Sequence, residues 1–213
     1  MVLDLRYNPG GSVNTAALLA SMITGQFNGQ VVTKLNYNEN LSASNTTFNF
    51  TNNFDGETVN SLNLNKVYVL TTSNTASASE MIINSLKPYI EVVQIGTNST
   101  GKSQASITLY DSPDFTRNNV NTTHLYAMQP LVAITVNKND DVVPNNGLTP
   151  QTIIEEDLFN LGVLGDINEP LLAEAISLID ALNIQGSVPV LKPANNVIHS
   201  SSLQPFSNEM YLD

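Results

Sequence analysis

Apolar runs alternate with helically spaced apolar positions along the chain, which predicts alternating strands and helices. Short apolar stretches predict buried strands at positions 2–6, 67–70, 92–95 and 131–136. A half-buried strand is predicted at 106–110, where apolar and polar residues alternate. Apolar residues that recur at helical spacing predict helices over 13–23, 76–89 and 171–182. This order of elements indicates an α/β domain with helices packed on a sheet.

Two polar stretches interrupt this pattern and help to divide the chain. Residues 36–65 are rich in Asn, Ser and Thr, whose side chains compete for backbone hydrogen bonds, so we expect a surface excursion. Within it, residues 47–54 alternate enough to form a hairpin at a sheet edge. Prolines and a serine run mark residues 186–213 as an extended tail, which leaves residues 1–185 as one domain.

Composition narrows the class of protein. The 213 residues are 41% hydrophobic, and no apolar run approaches the roughly 20 residues of a membrane-spanning helix. Eight Lys+Arg against nineteen Asp+Glu give a net charge of −11, which disfavours binding to a nucleic-acid backbone. The absence of cysteine excludes disulfides, thiolate metal sites and a cysteine nucleophile.

The start of the sequence looks like the interior of a protein. Met1 is followed at once by the first predicted strand, and no signal peptide precedes that strand. We therefore expect an N-terminally truncated chain whose export signal, if any, would belong to the missing part.

A turn between a buried strand and a helix carries the candidate nucleophile. Strand 67–70 is followed by a polar loop and then by Thr75-Ala76-Ser77-Ala78-Ser79-Glu80, which opens the predicted helix. A serine at this turn lies where helix N–H groups and the helix dipole stabilise developing negative charge. The candidate base is Lys102, on a glycine-flanked loop after the next strand, because a desolvated lysine can be neutral near pH 7. A helix and a returning parallel strand take about the number of residues that separates the two positions.

At these positions the sequence resembles the C-terminal processing, or tail-specific, serine peptidases. The matching segments, in family order, are Leu3-Asp4-Leu5-Arg6-Tyr7-Asn8-Pro9-Gly10-Gly11, Ala76-Ser77-Ala78-Ser79-Glu80, Gly101-Lys102 and Gly147-Leu148-Thr149-Pro150. The resemblance implies a crotonase-like/ClpP-like α/β core with helices packed on a mostly parallel sheet. It also implies a Ser–Lys dyad in which Ser77, rather than Ser79, is the nucleophile and Lys102 is the base.

The resemblance assigns further groups to the site. The oxyanion hole would be formed by the N–H of Ala78 and by the N–H of Gly10 or Gly11. One position departs from the family pattern, because bacterial members carry a Gln four residues after the lysine, where this chain has Ser106. Gln104 stands two residues early, so Ser106 and Gln104 are both candidate supporting residues.

Glu80 is a further candidate supporting residue. It stands in the first turn of the predicted helix, where a carboxylate interacts favourably with the helix dipole and can orient its neighbours.

Two other functions compete with the peptidase interpretation. Residues 96–103 fit the phosphate-binding P-loop pattern, but a P-loop must open a helix, and the residues after Lys102 alternate as a strand does. The second alternative is a non-catalytic ligand- or peptide-binding module on the same fold, since the fold superfamily contains ligand carriers that lack the dyad. The presence of both Ser77 and Lys102 favours the peptidase.

The resemblance also implies how and where the protein acts. It predicts a serine endopeptidase that hydrolyses peptide bonds through an acyl-enzyme, without a metal or cofactor. Its substrates would be polypeptides that are unfolded or have accessible C-termini, and self-assembly into a homo-oligomer is a further expectation. The expected location is the bacterial periplasm or cell envelope.

Overall fold

Helices and sheets form alternate layers in the computed structural model, which describes residues 1–180 and the backbone of residues 210–211. The helices are α1 (Val13–Ile23), α2 (Ala78–Leu86) and α3 (Pro170–Asp180), with short 3₁₀ helices at Gly25–Phe27 and Glu39–Ser44. The strands are β1 (Val2–Asp4), β2 (Val31–Tyr37), β3 (Thr46–Asn49), β4 (Asn53–Phe54), β5 (Glu57–Thr58), β6 (Lys66–Thr71), β7 (Glu91–Gly96), β8 (Gln104–Ser106), β9 (Leu109–Tyr110), β10 (Ala127–Met128), β11 (Leu131–Val136), β12 (Thr152–Ile153) and β13 (Met210–Tyr211). Within this described part, no helix has the length and apolar character that a bilayer crossing requires.

A parallel sheet of four strands, in the order β1-β6-β7-β12, organises the candidate site. Side chains alternate between its two faces, as the pleat of a strand requires. From β6, Val67 and Val69 join the apolar cluster that contains α1 and α2, whereas Tyr68 and Leu70 join the cluster that contains α3. The prediction of an α/β fold with helices packed on a parallel sheet is confirmed.

A second sheet, in the order β13-β8-β11-β2-β3, packs on the other side of α1 and α2. Its pairings are antiparallel except for β13 with β8. Because α2 lies between two sheets, all nine of its residues are buried, including the polar Ser79, Glu80 and Asn84. This layer places the start of α2 inside the protein.

Some predicted elements have different limits in the structure. The single strand expected at 106–110 is divided, because β8 pairs with β11 whereas β9 pairs with β10. The hairpin expected at 47–54 is also different: β3 pairs with β2, and β4 pairs with β5. The expected boundary at 185/186 and most of the tail lie outside the described residues. The described part of the tail, Met210–Tyr211, forms β13 beside β8.

Candidate active site

Ser77 occupies the sharp turn between β6 and α2, and its backbone is strained. Its φ of 61° and ψ of −121° are rarely adopted by residues other than glycine. Strain of this kind at a strand-to-helix turn is a recurring feature of catalytic serines. Ser77 is fully buried, and its Oγ accepts or donates no hydrogen bond among the residues that the structure describes. The turn has the arrangement of a capping box with Glu80, but no hydrogen bond of the Ser77 hydroxyl caps the helix.

Glu80 is fully buried. It joins the turn that contains Ser77, here called the nucleophile turn, to the loop that contains Lys102, here called the lysine loop. Its Oε2 accepts the N–H of Ser77 at 2.8 Å and the N–H of Lys102 at 2.8 Å. Its Oε1 accepts the N–H of Gly101 at 2.7 Å and the hydroxyl of Ser99 at 2.5 Å. Four donors to one carboxylate compensate for its burial. Glu80 thus does more than interact with the helix dipole.

The lysine loop is also bonded to the loop that precedes Ser77. Thr100 donates its N–H to the carbonyl of Thr75 at 2.9 Å and its hydroxyl to the carbonyl of Ser73 at 2.7 Å. Together with the Glu80 contacts, these bonds place the backbones of Ser77 and Lys102 side by side. Residues that are distant in sequence therefore meet at the carboxyl end of the parallel sheet, as the spacing predicted.

The glycine loop after β1 packs directly on the nucleophile turn. A Cβ on Gly10 would lie 2.7 Å from the Cβ of Ser77 and 2.7 Å from the N of Ala78, and Gly10 has a φ of +103°. The N–H of Gly10 donates to Oδ1 of Asn8 at 3.0 Å. Since that N–H is already engaged, Gly11 is the better candidate of the two glycines for an oxyanion hole with Ala78.

Asn8 ties this loop to α2, a role that the sequence did not reveal. Its Oδ1 also accepts the hydroxyl of Ser79 at 3.0 Å, and its carbonyl accepts the N–H of Ala76 at 3.1 Å. The available signal was the position of Asn8 before Pro-Gly-Gly, because Asn side chains often bond to nearby backbone in turns. Ser79 therefore supports the glycine loop.

Gln104 and Ser106, the two candidate supporting residues, both lie on β8. Ser106 is fully buried, and Gln104 is half-buried. Because Oγ of Ser77 has no partner in the described part of the chain, neither residue bonds to that oxygen. Their assignment as supporting residues remains a prediction.

An ionic cluster braces the end of β1, just before the glycine loop. Arg6, whose side chain is 5% exposed, pairs with Asp4 at 2.8 Å and Glu169 at 2.8 Å, and with Glu156 at 3.3 Å. Burial opposes its charge, but the bonds to Asp4 and Glu169 raise the pKa of Arg6. The neighbouring Tyr7 hydroxyl donates to Glu156. Asp4 and Arg6 therefore form a structural ion pair at the end of β1.

The geometry of residues 96–103 argues against a P-loop. The chain continues from Lys102 into β8 rather than into a helix. The N–H groups of Gly101 and Lys102, which a phosphate would need, donate to Glu80. A buried carboxylate at this position would repel a phosphate.

Comparisons with known proteins agree with the fold and the motifs. The sequence pattern of Peptidase family S41 matches residues 1–136, which contain Ser77 and Lys102. A search of the curated proteins found no match.

Three solved structures illustrate the likeness. A Bacteroides fragilis protein assigned to the S41 proteases is 31% identical, with a TM-score of 0.74, over 86% of this chain and 45% of its own. A Streptococcus agalactiae lipoprotein is 18% identical, with a TM-score of 0.56, over 85% of this chain and 54% of its own. A Parabacteroides merdae protein assigned as a peptidase is 18% identical, with a TM-score of 0.52, over 84% and 51%.

These comparisons differ in what they establish. The two structures at 18% identity show a shared fold alone. The chain spans about half the length of all three proteins, so the activity of a whole relative does not transfer directly to it. The family pattern, however, covers more than half of the chain and includes its first three motifs. The chain belongs to peptidase family S41.

Proposed function

We propose that the protein is a serine endopeptidase in which Ser77 is the nucleophile and Lys102 is the general base. The observation that carries this proposal is the strained, buried Ser77 at the start of α2, whose hydroxyl has no hydrogen-bond partner among the described residues. A strained backbone costs free energy, and such strain is concentrated at functional sites. The family membership and the adjacent lysine loop support the same assignment.

The chemistry proceeds in two steps. Oγ of Ser77 forms a bond to the carbonyl carbon of the substrate while its proton passes to Nζ of Lys102. The N–H groups of Ala78 and Gly11 stabilise the negative oxygen that results. The C–N bond then breaks as Lys102 returns the proton to the leaving amine, and water hydrolyses the acyl-enzyme by the same route.

Access to the nucleophile is part of the proposal. Ser77 has no exposed surface in this structure, so residues around it must move before a substrate can reach Oγ. We therefore expect turnover to be limited by opening of the site as well as by bond cleavage.

The substrate class and location follow from the family resemblance. The proposed substrates are polypeptides that are unfolded or present a free C-terminus, and the proposed location is the periplasm or cell envelope. Self-association is also proposed, because Phe159 and Leu164 are 98% and 81% exposed in one apolar segment.

Hydrolysis of an unfolded, fluorescently labelled polypeptide tests the function. We expect Ser77→Ala to abolish cleavage. Ser85→Ala is the matched control, because Ser85 is a buried serine of α2 whose hydroxyl also has no described partner. Cleavage by Ser77→Ala at the rate of the unchanged protein would refute Ser77 as the nucleophile, whereas no cleavage by the unchanged protein would favour a non-catalytic binding module.

A further inference from the structure

Ser99 stands at the junction between two motifs of the chain. It is 5% exposed, and its hydroxyl donates to Oε1 of Glu80 at 2.5 Å. The hydroxyl oxygen of Ser99 accepts the N–H of Leu148 at 2.8 Å, and the N–H of Ser99 donates to the carbonyl of Leu148 at 3.2 Å. One side chain thus connects the turn at Gly147 and Leu148 to the carboxylate that holds Ser77 and Lys102.

Close backbone packing leaves little freedom at this junction. A Cβ on Gly147 would lie 2.0 Å from the carbonyl oxygen of Ser99, and a Cβ on Gly101 would lie 2.3 Å from the carbonyl oxygen of Asn145. Both glycines have positive φ values, of +83° and +91°. The turn and the lysine loop can therefore approach this closely only without side chains at these two positions.

We propose that Ser99 is a positioning residue that aligns Lys102 with Ser77 through Glu80. Because Ser99 is also bonded to Leu148, the alignment depends on the position of the Gly147-Leu148 turn. This inference rests on the proposed function, and the sequence patterns did not assign Ser99 to the site. Its hydroxyl supplies one of the four donors that fix Glu80, and Glu80 is bonded to both halves of the dyad. A displacement of about 1 Å between reacting groups costs on the order of 100-fold in rate.

The test measures how fast a fluorophosphonate reacts with Ser77, with fluoride as the leaving group. The maximal rate of modification reports the alignment of the dyad, whereas the half-saturating concentration reports binding. For Ser99→Ala we expect the maximal rate to fall by about 10- to 100-fold, with a half-saturating concentration within about 2-fold of that of the unchanged protein. Ser99→Thr, which keeps the hydroxyl, should restore the rate to within about 3-fold.

Two controls separate positioning from simple loss of stability. Ser85→Ala removes a buried hydroxyl without a described hydrogen bond and should leave the rate unchanged. If Ser99 acts through Glu80, the effects of Ser99→Ala and Glu80→Gln should be strongly non-additive in the double variant. Modification of Ser99→Ala at the unchanged rate, or full additivity of the two effects, would overturn the inference.

Failure of the proposed function has a different signature. In that case the unchanged protein would not react with the fluorophosphonate, and amide hydrogen exchange decides the inference about Ser99. Faster exchange at Gly101 and Lys102 in Ser99→Ala than in Ser85→Ala would support the alignment by Ser99, and equal exchange would overturn it.

Discussion

Ser77 and Lys102 donate their backbone N–H groups to the same oxygen of Glu80, each over 2.8 Å. One buried carboxylate therefore holds the two proposed catalytic residues two hydrogen bonds apart. The shared contact fixes their backbones side by side, as joint action of residues from different loops would require.

The first prediction concerns the stability that Glu80 confers. In Glu80→Gln, one amide oxygen replaces two carboxylate oxygens, and the NH₂ group faces N–H donors. Because hydrogen bonds to a charged group contribute about 1.5–3 kcal/mol each, we expect the free energy of unfolding to fall by at least about 3 kcal/mol. Denaturant unfolding measures this change.

Glu91→Gln is the control for this prediction. Glu91 pairs with Lys66 at 2.9 Å, but its side chain is 61% exposed, so the change should cost less than about 1 kcal/mol. Equal losses for the two variants would contradict the role assigned to Glu80.

A second prediction concerns the contact between Gly10 and the nucleophile turn. Gly10→Ala should abolish reaction with a fluorophosphonate, because the new Cβ would overlap with Ser77 and Ala78. Gly56→Ala is the matched control, since Gly56 also has a positive φ, of +84°, but has nothing within 4 Å of the added Cβ. We expect this control to lose about 1 kcal/mol of stability and to keep its reactivity. A reactive Gly10→Ala protein would show that the close contact is not needed.

The third prediction concerns the base. Lys102→Arg should be as inactive as Lys102→Ala in polypeptide hydrolysis, because a guanidinium stays protonated and cannot accept the proton of Ser77. Both variants keep the backbone N–H that donates to Glu80, so circular dichroism should show an unchanged fold. Substantial hydrolysis by the arginine variant would rule out Lys102 as the base.

A fourth prediction concerns the stability of the protein at high pH. Burial and the hydrogen bond to Glu156 raise the pKa of Tyr7 above its ordinary value of 10.0. Above that pH the unfolded chain loses the phenolic proton while the folded protein keeps it, so the contribution of Tyr7 is complete below pH 10.0 and is lost as pH rises.

Tyr7→Phe isolates this effect. We expect the unchanged protein to be more stable than the variant by about 1 kcal/mol near pH 8, and the difference to shrink above pH 10.0. Chemical denaturation across this range measures the difference, and a constant difference up to pH 11 would count against a raised pKa.

Sequence patterns predicted β1, β6 and β7 of the parallel sheet and β11 of the second sheet, but not how the strands of the second sheet pair. Strands β6, β7 and β11 are dense in β-branched and apolar residues, which makes them readable without a structure. Strands β2 and β3 lie in or beside polar sequence, and the pairing of β2 with β11 joins residues about 100 positions apart. Such pairings depend on tertiary packing, which periodicity does not report.

The candidate site also contains some residues that the sequence indicates and others whose roles only the structure shows. Ser77, Lys102 and the glycine loop stand in local motifs, so the sequence indicates them directly. The role of Glu80 depends on α2 lying between two sheets, because only a fully buried carboxylate requires so many donors. An acidic residue in a first helical turn looks the same in sequence whether it is exposed or buried, and Ser99 is equally inconspicuous.

Mapping the residue that a fluorophosphonate modifies tests the central claim most directly. The labelled protein would be digested, and the modified peptide identified by mass spectrometry with fragmentation that distinguishes Ser77 from Ser79. We predict a single adduct on Ser77 that is absent after denaturation before labelling, because reactivity depends on the folded turn. An adduct on Ser79 or another serine, with Ser77 unmodified, would contradict the assignment of Ser77 as the nucleophile.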